Sequence, residues 1–421
     1  MRNERRAVLR LGPGLITGAC NDDPSSVGTY AQVGAQFGFA LAWTLPFSLP
    51  LLVAIQEISA RIARVTGCGI AGNLRRHTPG WLAAALVLLL SIANLFNLAA
   101  DLAAMSAVLR LLFAAPALLY VGLLGAAAVL FEMLTGYARY VQLLRWLCLS
   151  LLSYVACAFV VDVPWRQVVH ALLWPPLSAH PQYLLAVLAA LGTTLSPYLL
   201  FWQAQQEVED GGHQGGAAAL LDSVEQAPPE FARIRLDTLI GMGLSGVVAL
   251  FIVITTASTL HARGVRTIQT AAEAAEALRA VGGRFTFILF ALGIIGAGLL
   301  TLPALSTSTA YAVGELMSWR VGRRYTPGHA RAFYATIALA TALAVALNFT
   351  AINPLRALYW SAVLNGVIAV PVLAAVMYLA TRANVMGPLP LPAGLRTLGW
   401  AATAVMASSV AALALAWLVS S

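Results

Sequence analysis

A chain of 421 residues would ordinarily fold as two or three soluble domains, but 60% of this one is hydrophobic and only 10% is charged, against about a quarter charged in an average soluble domain. With a mean hydropathy of +0.81 it lacks the polar coat of a water-soluble chain this size, which excludes a soluble enzyme, a disordered tail and a disulfide scaffold and leaves an all-α integral membrane protein. Its basic residues are all arginine and its formal net charge is +8, but those arginines flank apolar runs, so the basicity is read as membrane topology and not as nucleic-acid binding.

A helical span needs about 20 largely apolar residues. Eleven stretches qualify: 8–36, 39–64, 81–113, 116–135, 140–161, 182–208, 236–260, 285–318, 331–349, 355–380 and 396–419. The third and fourth are separated only at Ala114-Ala115-Pro116. The opening Met-Arg-Asn-Glu-Arg-Arg has no small-residue cleavage site after it and reads as a cytoplasmic anchor. With the N-terminus inside, only Arg110, Arg166, Arg263, Arg266, Arg279, Arg284 and Arg356 fall outside, and every other arginine falls inside. That bias predicts a cytoplasmic N-terminus and an outer C-terminus, and the arginine-only basic composition points to a GC-rich bacterial genome, so the expected place is a bacterial inner membrane, spanned many times.

The first span breaks its own apolar rule. After Gly-Leu-Ile-Thr-Gly-Ala-Cys come Asn21-Asp22-Asp23-Pro24-Ser25-Ser26, and then more helix. A carboxylate near the bilayer midplane costs at least about 3 kcal/mol, so it faces a cavity or a partner. Pro24 removes a backbone donor and unwinds the helix there, and unwound backbone at that depth lines protein or water. Cys20, three residues before Asp23, is either a soft ligand or a small buried hydrophobe. The four cysteines have neither metal-site spacing nor a disulfide pattern.

Glu57 and Arg61 on the second span form an i,i+4 pair and read as structural. On the third span Asn94, Asn97 and Asp101 share one face, which either lines an ion or water pathway or makes interhelical hydrogen bonds. Glu132 on the fourth span and Asn365 on the tenth are candidates to face the cavity. The sixth span is interrupted like the first, at Leu191-Gly192-Thr193-Thr194-Leu195-Ser196-Pro197-Tyr198. Gln203, seven residues past Ser196, shares its face and is a candidate lining of the inner vestibule, while Glu207, Glu209 and Asp210 read as capping or solvating the inner end. The polar stretch 209–230 reads as a flexible cytoplasmic linker. The outer connection 261–284 contains a short helix signal from Thr270 to Ala280.

The two interruptions occupy matching places, in the first span of spans 1–5 and the first of spans 6–10. A five-span unit repeated in tandem must insert with opposite topology, and paired Gly/Pro-interrupted spans are the sequence pointer to a transporter binding site. The expected units are a first repeat over 1–161, the start of a second over 162–231 with the broken span and its loop, its remainder over 232–381, and an additional span over 382–421.

At these residues the chain resembles the NRAMP family of divalent-metal transporters. Gly-Pro-Gly-Leu-Ile, the Ala-Gln-Val-Gly-Ala-Gln-Phe-Gly-Phe stretch at 31–39, the segment Gln56 to Thr66 and the broken sixth span through Pro197 carry the likeness. The resemblance implies a LeuT-type inverted-repeat transporter fold, with about 11 transmembrane helices, spans 1 and 6 broken, and a metal ion held between them. The family's Asp-Pro-Gly-Asn stands here as Asp23-Pro24-Ser25-Ser26, and its Met-Pro-His as Ser196-Pro197-Tyr198. The position of its carbonyl-donating Ala corresponds to Thr193. This pattern looks like the NRAMP-related magnesium-transporter branch. An acidic position in the family's third span coincides with Asp101, which there serves a proton route, with Arg331 as a candidate partner.

With the thioether gone, the expected ligands are all oxygen: the Asp23 carboxylate, the Ser26 and Ser196 hydroxyls, backbone carbonyls near Asn21 and Thr193, and water. Such a set favours Mg²⁺, Ca²⁺ or Mn²⁺ over softer ions, and Mg²⁺ keeps several waters. Asp22 supplies field or a water-mediated contact, or else a structural hydrogen bond at the break. Tyr198, Asp101, Asn97, Gln203 and Asn365 are the pathway or coupling candidates. No histidine falls in either break, so the expected transport is passive or weakly proton-coupled. The competing readings are Mn²⁺, Fe²⁺ or a trivalent ion on the same scaffold, a sodium-coupled organic-solute transporter, and an intramembrane enzyme or sensor. The last lacks any HExxH or GxSxG motif and any sizeable soluble domain. The expected partners are the lipid bilayer and the metal cargo, with no cofactor, no nucleic acid and no obligatory protein partner.

Overall fold

The computed structural model describes residues 12–113, 115–135, 137–213, 219–268, 271–350 and 354–420, and contains helices, turns and no strand among them. The first span forms two half-helices, α1 (Pro13–Cys20) and α2 (Pro24–Phe37). Then follow α3 (Thr44–Thr66), α4 (Ile70–His77), α5 (Gly80–Phe113), α6 (Ala117–Leu134) and α7 (Tyr137–Leu147), which a 3₁₀ turn joins to α8 (Leu152–Val160). A short α9 (Trp165–Leu173) precedes the sixth span, again in two halves, α10 (Pro181–Thr194) and α11 (Pro197–His213). The chain continues through α12 (Ala227–Thr259), α13 (Ala271–Leu316), α14 (Arg331–Leu347), α15 (Pro354–Thr381), α16 (Ala383–Met386) and α17 (Ala393–Ser420).

Among the described residues nine helices are long and apolar enough to cross a membrane. The broken α1–α2 pair and the 17-residue α14 make up the eleven passes expected from sequence. The expected outer helix is the first limb of α13, which breaks at Gly283 with φ 78°; its predicted start, Thr270, lies outside the described residues, as do Ala114 and Arg2, Arg5, Arg6 and Arg10. Helices α4 and α9 were not anticipated, because each is too short and too polar along one face to register as a span.

The expectation of a free linker over 209–230 is corrected on both sides of 214–218, which lie outside the described residues. Helix α11 continues to His213. Leu220 and Leu221 donate their N–H groups to the carbonyls of Arg64 and Val65 at the end of α3, and Leu220 is fully buried. The orphan carbonyls that end α3 thus find backbone donors in that stretch.

Two close glycine approaches bring the broken helices against their neighbours. A methyl group on Gly18 of α1 would come within 2.1 Å of the Gly241 backbone of α12, and one on Gly192 of α10 within 2.5 Å of the Ala362 carbonyl of α15. Only glycine permits that proximity. One end of the bundle collects arginines with carboxylates: Arg61 with Glu57, Arg64 with Glu230, Arg233 with Glu207, and Arg323 with Glu132. The Glu57–Arg61 pair is the one anticipated.

Candidate metal site

Both breaks are built by proline at the start of the second half-helix. Pro24 and Pro197 each open a helix, where the missing N–H is no loss because the first-turn donors have no helical acceptor. The same residues remove the i+4 donors that the carbonyls of Cys20 and Thr193 would otherwise meet. Asp23 is the N-cap of α2, its Oδ1 accepting from the Ser26 N–H at 2.6 Å and from the Ser25 hydroxyl at 2.7 Å. A carboxylate at this position complements the positive end of the half-helix.

The two breaks touch. Ser26 Oγ and Thr193 Oγ1 are 2.7 Å apart, Tyr30 Oη and Thr194 Oγ1 are 3.0 Å apart, and the Tyr198 hydroxyl donates to the Cys20 carbonyl at 2.6 Å. Ser196 donates back to the Thr193 carbonyl at 2.7 Å. Asp23, Ser26, Thr193, Ser196 and Tyr198 are all buried, at 1–2% exposure. Of the residues expected at the site, Asp23, Ser26, Thr193 and Ser196 are therefore brought together through one run of hydrogen bonds.

Asp22 turns the other way. Its Oδ1 accepts from Ser245 of α12 at 3.1 Å, Asn21 donates to the same hydroxyl at 3.0 Å, and Asp22 Oδ2 has no protein partner. The thiol of Cys20 points at the Leu300 carbonyl of α13, at 3.7 Å, so of its two readings the small hydrophobe fits. Among the described residues no cluster of three or more His, Cys, Asp or Glu is placed to hold a metal. A site here rests on hydroxyls and carbonyls around one carboxylate.

The third-span face makes interhelical bonds throughout. Asn94 donates to Thr309 of α13, and Asn97 and Asn365 exchange amide hydrogen bonds at 3.2 and 3.3 Å between α5 and α15. Asn365 is therefore paired and does not line an open cavity. Asp101 accepts from the Ser25 N–H at 3.0 Å and from the Thr301 hydroxyl at 2.9 Å. It thereby links α5 and α13 to the start of α2. The expected pairing with Arg331 is corrected: Arg331 is exposed at the start of α14, and the partner of Asp101 is Thr301.

Three further expectations are corrected. Glu132 faces no cavity, because it is buried in an ion pair with Arg323, whose guanidinium also lies 3.6 Å from the Tyr140 ring centroid. Gln203 is fully buried and donates to Thr238 of α12 at 2.8 Å, and so does not line an open vestibule. Glu207 and Glu209 are not solvated. Glu207 pairs with Arg233, and Glu209 accepts from the Tyr311 hydroxyl and the Arg323 N–H. Sequence reasoning missed Ser25, Ser245 and Thr301, each a hydroxyl residue inside an apolar span. It also missed Asp237 of α12, whose carboxylate accepts from the N–H groups of Gly12, Gly14 and Leu15.

Residues 14–416 match the family model described as Nramp, natural resistance-associated macrophage protein-like. The chain is 25% identical over 329 residues to the divalent metal cation transporter MntH of Yersinia pestis (strain Pestoides F), covering 75% of this chain and 74% of that one. It is 26% identical over 308 residues to MntH of Erwinia tasmaniensis, covering 71% and 70%. Among solved structures, the Eremococcus coleocola manganese transporter superposes with a TM-score of 0.76 at 16% identity, covering 96% of this chain and 86% of that one. Mhp1, a nucleobase-cation-symport-1 family transporter, superposes with a TM-score of 0.56 at 14% identity, covering 96% and 93%. These likenesses give the inverted-repeat transporter fold.

Proposed function

The chain belongs to the Nramp family of divalent-metal transporters, and we propose that its cargo is a hard dication, Mg²⁺ first and Mn²⁺ second, moved by alternating access without strong proton coupling. The observation that carries this reading is the Ser26–Thr193 contact at 2.7 Å, which joins the two breaks beside Asp23 through oxygen alone. Ser196 stands where the family resemblance expects a thioether, and the Cys20 thiol is turned toward Leu300. An oxygen-only set suits ions that hold on to water and is a poor match for soft ones.

In this reading Asp23 is the principal ligand. The hydroxyls of Ser26 and Ser196 and the carbonyl of Thr193 complete the direct contacts, and Asp22 adds field from the Ser245 side through its unpartnered oxygen. The membrane potential drives entry, since it contributes about 2.3 kcal/mol per charge per 100 mV and a dication carries two. The half-helices α1 and α10 belong to two inverted units, 1–161 and 162–381, between which the ion sits, with 382–421 outside the repeat. The N-terminus lies in the cytoplasm, because the arginine–carboxylate end of the bundle then faces inward.

A second reading is a proton-coupled Mn²⁺ transporter, whose metal has support in the likeness to the Eremococcus coleocola manganese transporter. Uptake into liposomes separates the two. The first expects Mg²⁺ uptake that is lost in Asp23→Ala and runs without stoichiometric acidification of the lumen. Wild-type rates of Mg²⁺ uptake in Asp23→Ala would remove Asp23 from the site, and acidification in step with metal entry would favour the second reading.

A further inference from the structure

Pro24 and Pro197 leave two buried carbonyls without helical donors, Cys20 at the end of α1 and Thr193 in the last turn of α10. These are the acceptors with which the ends of broken half-helices hold cations. Each is instead met by a hydroxyl of the sixth-span break. The Tyr198 hydroxyl donates to Cys20 at 2.6 Å and the Ser196 hydroxyl to Thr193 at 2.7 Å. A buried carbonyl left unmet would be costly, and these two hydroxyls meet both.

The two hydroxyls differ in how easily they let go. Ser196 has a second acceptor within reach, the Gly192 carbonyl at 3.5 Å, so a turn about one bond frees Thr193 for an ion. Tyr198 carries its hydroxyl on a rigid ring with 1% exposure, and its own carbonyl is held by Ser308 of α13 at 3.1 Å. Packed on all sides, the ring has less freedom to withdraw its hydroxyl than Ser196 has.

From this asymmetry we infer that Tyr198 is a specificity-determining residue, which keeps the Cys20 carbonyl out of the ion's coordination shell. The inference rests on the reading of Asp23 as the principal ligand. With one carbonyl withheld, the protein offers few direct oxygens and the ion retains water. Mg²⁺ tolerates that arrangement, whereas Ca²⁺ seeks six to eight oxygens in a looser geometry. Tyr198 thus discriminates against Ca²⁺ by limiting how many ligands the break presents.

The test is Mg²⁺ and Ca²⁺ uptake into liposomes by wild type, Tyr198→Phe and Asp23→Ala. Phenylalanine keeps the ring and removes only the hydroxyl. The Ca²⁺ to Mg²⁺ uptake ratio rises about fivefold or more in Tyr198→Phe, as expected for exchanging one hydrogen bond for a ligand. Calcium also raises its melting temperature more than it raises that of wild type, a readout that loss of packing alone would not produce. If Tyr198→Phe does not accumulate, Tyr198→Leu, which also lacks the donor, takes its place. An unchanged ratio with Asp23→Ala inactive overturns the role of Tyr198 and leaves the site standing. Wild-type uptake of both ions by Asp23→Ala overturns the site itself.

Discussion

The hydroxyls of Ser26 and Thr193 lie 2.7 Å apart although 167 residues separate them in the chain. One sits in the first turn of α2 and the other in the last turn of α10, so a single hydrogen bond joins the N-terminal end of one half-helix to the C-terminal end of another. The partial charges there are opposite in sign. In the proposed site, a cation between them is drawn to the Thr193 side by carbonyl dipoles, with Asp23 offsetting the positive end of α2.

Replacing Thr193 with valine keeps the volume and removes this link. The buried Ser26 hydroxyl is left without its partner, which lowers stability by about 1–3 kcal/mol. Ser26→Ala leaves the Thr193 hydroxyl in the same position and costs a similar amount, whereas the double variant, with neither hydroxyl left unmet, costs less than the sum. A double-mutant cycle read by thermal unfolding, with and without Mg²⁺, checks this. Additive effects of the two substitutions would mean that the hydroxyls do not act as a pair.

Ser196→Met places a thioether at the break. Sulfur is a soft ligand, so Cd²⁺ competes more strongly against Mg²⁺ uptake in this variant than in wild type. The residue is 2% exposed, and inserting the longer side chain costs about 1–3 kcal/mol of packing strain, visible as a lower melting temperature. Competition curves that overlay those of wild type would show that position 196 does not meet the ion.

The broken helices were legible in sequence because proline acts locally. Pro24 and Pro197 fix both the end of one half-helix and the start of the next, and the hydroxyls beside them mark what fills the gap. The spans were legible because lipid demands length and apolarity. The partners of the intramembrane polar groups were not. The spacing of Asn94, Asn97 and Asp101 puts them on one face, but which helix covers that face depends on packing between distant segments. Asp101 meets Thr301 and Ser25, and Asn97 meets Asn365, through contacts that no periodicity encodes. Glu132 looked like a cavity residue for the same reason, since its cation, Arg323, arrives from a loop far along the chain.

That buried pair makes its own prediction. Removing one member leaves a charge in the protein interior, at a cost of about 3–5 kcal/mol. Glu132→Gln or Arg323→Met alone therefore unfolds well below wild type. The double variant recovers much of the loss, because neither charge then needs a partner. Melting curves in detergent suffice, and a double variant no better than the worse single one would count against the pairing.

Asp237 makes the last prediction, and it concerns motion. Its carboxylate accepts from Gly12 at 2.9 Å, Gly14 at 2.7 Å and Leu15 at 3.1 Å, which covers every donor of the opening turn, since Pro13 has none. The Gly18–Gly241 approach lies one turn further along the same pair. Half-helix α1 is thus fixed to α12 at its N-terminal end and packed backbone to backbone near its centre, and the expected behaviour is that the two move as one body. Asp237→Ala leaves three donors unmet and lowers stability by about 2–3 kcal/mol. Hydrogen exchange then rises across 14–20 while 24–37, held by Asp23 and Asp101, stays protected. Equal protection of both halves in the variant would mean that the glycine contact alone carries α1, and that the carboxylate has no part in holding it.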